Sequence, residues 1–359
     1  MFWEESARDG AQAKTLMGAG FRVRLARETG RIFGADGPRH VVFAAGFPAV
    51  CADEFEAVRQ VAVEAEGAVS VAAVCRGVDR DVEQAVASVR GSGNARVMVV
   101  VPASDAMARV MVHRTANQAL EAAVDLVKRA RDRDDRVALD ICLADASRAD
   151  TSLMAHHSQA LTEAGAGLVL LADTVGSQLP HGCHDMFARV RTACGPEVVL
   201  ASHLHNDLGL GLANSLQALA AGVRVVSSSW LGIAERAGMV ATEQLLFLLA
   251  RHGEELLGAD AAPWWTAPDL TRLPGIARMV ADETGASWAS PPRSSAPASA
   301  PSPPAPPSST PSCSSPSTPT RCWASNRTSC SPSSPAHASS PPSPPASATP
   351  STRTRPAPP

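Results

Sequence analysis

The chain has 359 residues, a formal net charge of −3 and 45% hydrophobic residues, enough for one large domain with a substantial buried core. The charge lacks the basic footprint of a nucleic-acid-binding surface, and no apolar run reaches the ~20 residues that span a bilayer. The acidic start Met1-Phe2-Trp3-Glu4-Glu5 is unlike a secretory signal, and eight cysteines without a CxxC pair argue against a zinc ribbon or disulfide framework and for a reducing cytoplasm.

Short runs of β-branched and aliphatic residues recur along the chain at Phe2–Ser6, His40–Ala44, Val69–Cys75, Val97–Val101, Val137–Leu143, Leu168–Ala172, Val198–His203 and Val223–Ser229. Most are continuously apolar, as expected of parallel strands covered on both faces. The intervening segments, such as Asn117–Asp132 and Ser152–Ala164, are long enough for crossover helices. Eight strands alternating with helices predict an α/β fold, a (β/α)₈ TIM barrel over residues 1–286. An open doubly wound sheet is the alternative, weakened because no GxGxxG follows an early strand.

A barrel places its chemistry just after the strands. The polar clusters fall there: Arg8-Asp9-Gly10 after the first strand, Asp145-Ala146-Ser147-Arg148 after the fifth, Asp173-Thr174 after the sixth, His203 to Asp207 at the seventh and Glu235-Arg236 after the eighth. His203 and His205 lie two apart at a strand end, so alternation points both imidazoles the same way. Two neutral nitrogens need an anionic oxygen to hold a divalent cation, and Asp9 is the candidate. A satisfied surface pair is the bland reading of an HxH alone; for Arg8-Asp9 it is a surface ion pair of little worth.

The segment SHLHNDLGLGLANSLQALAAGVRVVSSSWLGIAERAG, Ser202 to Gly238, resembles the second signature of the isopropylmalate synthase, homocitrate synthase and hydroxymethylglutaryl-CoA lyase family. EESARDGAQ, from Glu4 to Gln12, resembles the first, and DASRAD (Asp145 to Asp150) and ADTVGSQLP (Ala172 to Pro180) match further blocks. The resemblance covers about residues 2–286. It implies a divalent metal (Mg²⁺, Mn²⁺ or Zn²⁺) on Asp9, His203 and His205, with Arg8 facing the reacting carbonyl. Glu235 joins Arg8 as a catalytic candidate, and Gln12, Ser147, Arg148 and Thr174 are substrate contacts. The implied reaction condenses acetyl-CoA with an α-keto acid, releasing CoA, in a homodimer.

Several positions depart from the family pattern. Met239 stands where many members have a metal-ligating Asn. Ala44, before Gly46-Phe47-Pro48, and Ala144, before Asp145, stand where members often have Glu. Fewer acids would favour a more anionic substrate, such as oxaloacetate or a phosphonate-bearing pyruvate. The lyase branch uses a cysteine in the loop after the last strand; Ile233-Ala234-Glu235-Arg236 has none, which favours a synthase. A carbon–carbon lyase or aldolase, and an inactive metal-binding remnant, remain as alternatives.

From residue 287 onward the composition changes: only eight of 29 prolines precede residue 290, and the rest of the chain is mostly Pro, Ser, Ala, Thr and Arg. Such a segment buries too little apolar surface to order itself, so residues 287–359 read as a disordered low-complexity tail. Back-translated with GC-rich codons and read in the neighbouring frame, Ser317 to Cys330 gives FDPDAVLGIEPDVV, a plausible protein segment. The expectation is a base lost or gained near residues 284–290, so that the tail is a shifted reading of the family's helical C-terminal region; a genuine Pro/Ser linker is the alternative.

Overall fold

The computed structural model describes residues 1–12, 16–133, 135–258 and 266–287. Two compact units divide the chain, Met1–Ser295 and Ala296–Pro359, and the second, with nearly all of the low-complexity tail, lies outside the described residues.

Eight parallel strands close into a barrel in sequence order: β1 Phe2–Glu4, β2 Val41–Gly46, β3 Ser70–Arg76, β4 Arg96–Pro102, β5 Ala138–Ala144, β6 Val169–Asp173, β7 Leu200–Leu204 and β8 Val225–Ser228. Closure runs through β1 against β8, with Phe2 opposite Val226, Trp3 opposite Ser227 and Glu4 opposite Ser228. The helices among the described residues are α1 Asp9–Gln12, α2 Ala19–Arg31, α3 Gly37–His40, α4 Ala52–Glu64, α5 Asp79–Ser88, α6 Asp105–Met111, α7 Ala116–Arg133, α8 Thr151–Glu163, α9 Pro180–Cys194, α10 Gly211–Ala220, α11 Thr242–Leu257 and α12 Leu273–Thr284. None is long and apolar enough to cross a membrane. Local chemistry sets their starts: Ser104 caps α6 through Met107 N–H, Asp150 caps α8 through Leu153 N–H, and Pro180 opens α9.

Alternation within the strands sorts the core into two layers. Phe2, Val41, Phe43, Val97, Ile141 and Val169 face outward onto the helices. Trp3, Val42, Ala44, Ala72, Val74, Met98, Cys142, Leu170, Ala172 and Ala201 fill the barrel. Small alanines give room to the fully buried Trp3 indole. All eight predicted strands are present, with ends shifted by up to two residues. β1 stops at Glu4 rather than Ser6 because the Glu5 carbonyl accepts from the N–H groups of Arg8, Asp9 and Gly10 at 3.0, 2.7 and 3.3 Å. That turn folds Arg8 and Asp9 over the end of their own strand.

Candidate metal centre

The inward face of β7 carries Ala201 and, two residues on, His203; His205 follows just past the strand end. Their Nε2 atoms are 3.2 Å apart, and His203 Nε2 is 3.4 Å from Asp9 Oδ2. Asp9, His203 and His205 are all buried and each offers a ligand atom within 4.8 Å of the others. The β1 turn delivers Asp9, whose Oδ1 accepts from Glu235 N–H at 2.8 Å while Oδ2 accepts from Arg8 Nη1 at 2.8 Å. The loop after β8 packs close on this turn at Gly10, where a Cβ would stand 3.2 Å from Ile233 Cδ1. The same loop pairs Met239 with His205 and gives Gly238 C=O to Asn206 N–H at 2.8 Å, which pins the HxH segment from above.

Electrostatics separate the two histidines. Burial opposes charge on His203, but hydrogen bonding and charge from Asp9 and Glu5 outweigh it and push the ring up to about 9. Burial, and then the charge on His203, push His205 down to about 4. Burial works to raise Asp9, yet the bond to His203 and the Arg8 guanidinium hold it well below the usual carboxylate range. His203 Nε2 lies between Asp9 Oδ2 and His205 Nε2, where a divalent cation would bring all three atoms together. Two imidazoles and a carboxylate form a mixed N/O donor set that suits such an ion. Among the described residues, His205 Nδ1, Arg8 Nε and Glu5 Oε2 are buried without hydrogen-bond partners, so the site's polar groups are incompletely satisfied there.

Around this centre the mouth is laced together. Asp145, buried and in the left-handed region at φ 65°, gives its N–H to Thr174 Oγ1 at 2.8 Å and holds Arg148 Nε at 2.7 Å and the Ser104 hydroxyl. Among the described residues Ser147 Oγ has no partner, and Arg148 is half exposed. Arg236 bridges three loops: Nε and Nη2 donate to the two oxygens of Asp207 at 2.8 and 3.0 Å, Nη2 also to Thr174 C=O at 2.6 Å, and Nη1 to Glu235 Oε2 at 3.2 Å.

Of the predicted residues, Asp9, His203, His205 and Arg8 meet directly. Glu235 reaches them through its backbone while its carboxylate lies at the rim on Arg236. Thr174, Ser147 and Arg148 group beside Asp145. Gln12 is exposed at the end of α1, with no hydrogen bond to the other predicted residues. Sequence reasoning missed Glu5, Cys142 and the Arg236–Asp207 pair. Strand parity holds the signal for Cys142 alone, which lies on the inward face of β5. Cys142 lies close enough to feel the charges of Arg8, Glu5 and Asp9, though burial pushes its thiol up to about 12. Glu5 follows the last residue of β1, and its N–H donates to Ser228 C=O of β8 at 2.9 Å.

Fold and site together define a (β/α)₈ barrel with a candidate metal centre at its C-terminal mouth. The family model described as HMGL-like matches residues 6–280, and the chain belongs to this family. The chain is 32% identical over 289 residues to a 2-isopropylmalate synthase of Neisseria meningitidis, covering 79% of this chain and 53% of that protein. It is likewise 32% identical over 283 residues to one from Syntrophus aciditrophicus, covering 77% and 53%. The chain thus spans about half the length of these curated relatives. Among solved structures, the HMG-CoA lyase of Brucella melitensis superposes with a TM-score of 0.64 at 20% identity, covering 79% of this chain and 98% of that one. Hydroxymethylglutaryl-CoA lyase from Pseudomonas aeruginosa gives 0.63 at 23%, covering 80% and 93%.

Proposed function

We propose that the chain is a divalent-metal acyltransferase that condenses acetyl-CoA with an α-keto acid, with water hydrolysing the thioester, to a 2-hydroxy di- or tricarboxylic acid and free CoA, a reading supported by relatives named 2-isopropylmalate synthase. The observation that carries this reading is the convergence of Asp9, His203 and His205 beside Arg8 at the barrel mouth. Mg²⁺, Mn²⁺ or Zn²⁺ bound there would supply Lewis-acid polarisation of the keto carbonyl. Arg8, next to Asp9, is placed to stabilise negative charge developing on the carbonyl oxygen. Thr174, Ser147 and Arg148 bind the keto acid, with Asp145 holding the Arg148 guanidinium. Glu235, at the rim, is the catalytic candidate beside Arg8, and Gln12 is a candidate substrate contact.

The chain works in this reading as a cytoplasmic homodimer, with residues 287–359 a frameshifted form of a helical region. Light scattering tests the dimer and resequencing the coding DNA tests the tail. The function is tested by mixing the chain with acetyl-CoA, Mn²⁺ or Mg²⁺ and single α-keto acids (2-oxoglutarate, 2-oxoisovalerate, oxaloacetate, pyruvate, phosphonopyruvate). Thiol release that needs one keto acid and stops with chelator supports the synthase; thiol release without any keto acid is mere thioester hydrolysis and counts against it. No release with any of them rejects the synthase for this chain, and cleavage of a 3-hydroxyacyl-CoA to acetyl-CoA without free thiol favours a lyase.

A further inference from the structure

We propose that Glu5 is a positioning residue for the metal centre: its carboxylate accepts from His203 Nδ1–H, which commits His203 Nε2 to the metal and fixes the ring in place. This rests on the metal-site reading above.

Glu5 is 3% exposed and inward-facing, and its Oε1 lies 3.5 Å from His203 Nδ1, on the side of the ring away from Asp9 and His205. Its other oxygen lies 3.8 Å from Arg8 Nη1 and has no hydrogen-bond partner among the described residues. A buried carboxylate is costly to hold unless neighbouring groups use it. Here it faces two groups of the site at once. An imidazole offers one nitrogen to a metal, and the hydrogen bond made by the other nitrogen decides which one. Carboxylate partners of metal-bound histidines orient the ring and raise its basicity. His205 provides the internal contrast: its Nδ1 has no partner, and its position is set by the backbone pairing with Met239. The two ligands on one strand end are thus held in different ways, and only His203 depends on Glu5.

The test uses the full chain and Mn²⁺ affinity by calorimetry, which does not depend on turnover. Glu5→Ala weakens Mn²⁺ binding by about 10–100-fold. Glu5→Gln, whose amide oxygen still accepts from Nδ1–H, stays within a few-fold of the parent. Wild-type affinity in Glu5→Ala overturns the proposal. So does equal loss in both variants, which would assign Glu5 to charge balance with Arg8 alone. The third arm needs no variant at Glu5. In ¹⁵N-histidine-labelled chain loaded with Zn²⁺, with His203 assigned by comparison with His203→Asn, the expected signature is a protonated Nδ1 and a metal-bound Nε2. Metal on Nδ1 sinks the idea. If no keto acid releases CoA while Glu5→Ala still loses metal, the synthase reading falls and Glu5 keeps its role.

Discussion

At the N-terminal end of the barrel, Arg96 gives Nε and Nη2 to the two oxygens of Asp140 at 2.7 and 2.6 Å; at the C-terminal end, Arg8, Glu5 and His205 each keep a buried polar atom without a partner. Both ends bring charge into a low-dielectric interior. The lower pair is bidentate and closes on itself between the first residue of β4 and the third of β5, with the neighbouring Gly167 leaving room for both head groups. The upper cluster does not close on itself. The closed pair stabilises the barrel as a plug, whereas the open cluster leaves ligand atoms that an ion would use.

The largest expected effect breaks the lower end. Asp140→Ala leaves the Arg96 charge without its partner and lowers the unfolding free energy by about 3–5 kcal/mol, read from urea denaturation. Replacing both residues with apolar side chains of similar size, Arg96→Met with Asp140→Leu, recovers most of that loss, because a well-packed pair no longer needs desolvated charge. A double variant as unstable as Asp140→Ala would mean that the plug is specific to the ion pair.

Glu4 is an intermediate case and makes the comparison titratable. Its Oε1 accepts from Ser6 N–H at 3.0 Å and from the Ser6 hydroxyl, while Oε2 is buried without a partner. Burial therefore outweighs these bonds and pushes its carboxyl up to about 7 from a reference of 4.5. A raised carboxyl binds more protons in the folded than in the unfolded state between these values, so stability falls as pH rises from about 4.5 to about 7 and the loss is complete above that. The difference amounts to about 3 kcal/mol at most. Subtracting the pH–stability curve of Glu4→Gln isolates it; parallel curves for the two proteins would show that Glu4 ionises freely.

The upper end is sharpened by the ion itself. Mn²⁺ at 100 times its Kd stabilises the parent chain by about 2.7 kcal/mol, and this increment disappears in His203→Ala, as followed by thermal unfolding with and without metal. An increment of equal size in the variant would remove His203 from the ligand set.

How much of this was legible before folding depends on how far apart the partners lie in the chain. The strands could be read because both faces are buried, so Val97 to Val101 and Val137 to Leu143 are apolar almost without interruption. The HxH pair and Arg8-Asp9 could be read because each is local and lies at a strand end. Glu5 was hidden by one turn. A strand read through to Ser6 gives no hint that the chain bends at Glu5 and brings His203 against it. The Arg96–Asp140 and Arg236–Asp207 pairs join segments whose register only the closed barrel determines, and neither partner carries a motif that names the other.

The smallest expected effect concerns Arg236, which belongs to the upper end but is as fully bonded as the lower pair. Its side chain is 41% exposed, so water screens the pair with Asp207, and Arg236→Ala costs no more than about 1 kcal/mol of global stability. The local consequence is larger than the global one. Arg236 is in the left-handed region at φ 55° and ties the loops after β6, β7 and β8 together, and that last loop gives Asp9 its bond from Glu235 N–H. Hydrogen exchange across residues 232–239 therefore speeds up in Arg236→Ala while the strands keep their protection. Arg236→Lys does not restore it, because an ammonium cannot hold Asp207 through two parallel bonds and reach Thr174 C=O together. If lysine restores full protection, a single positive charge at the rim suffices, and the division between a closed lower pair and an open upper site applies to the residues around the metal alone.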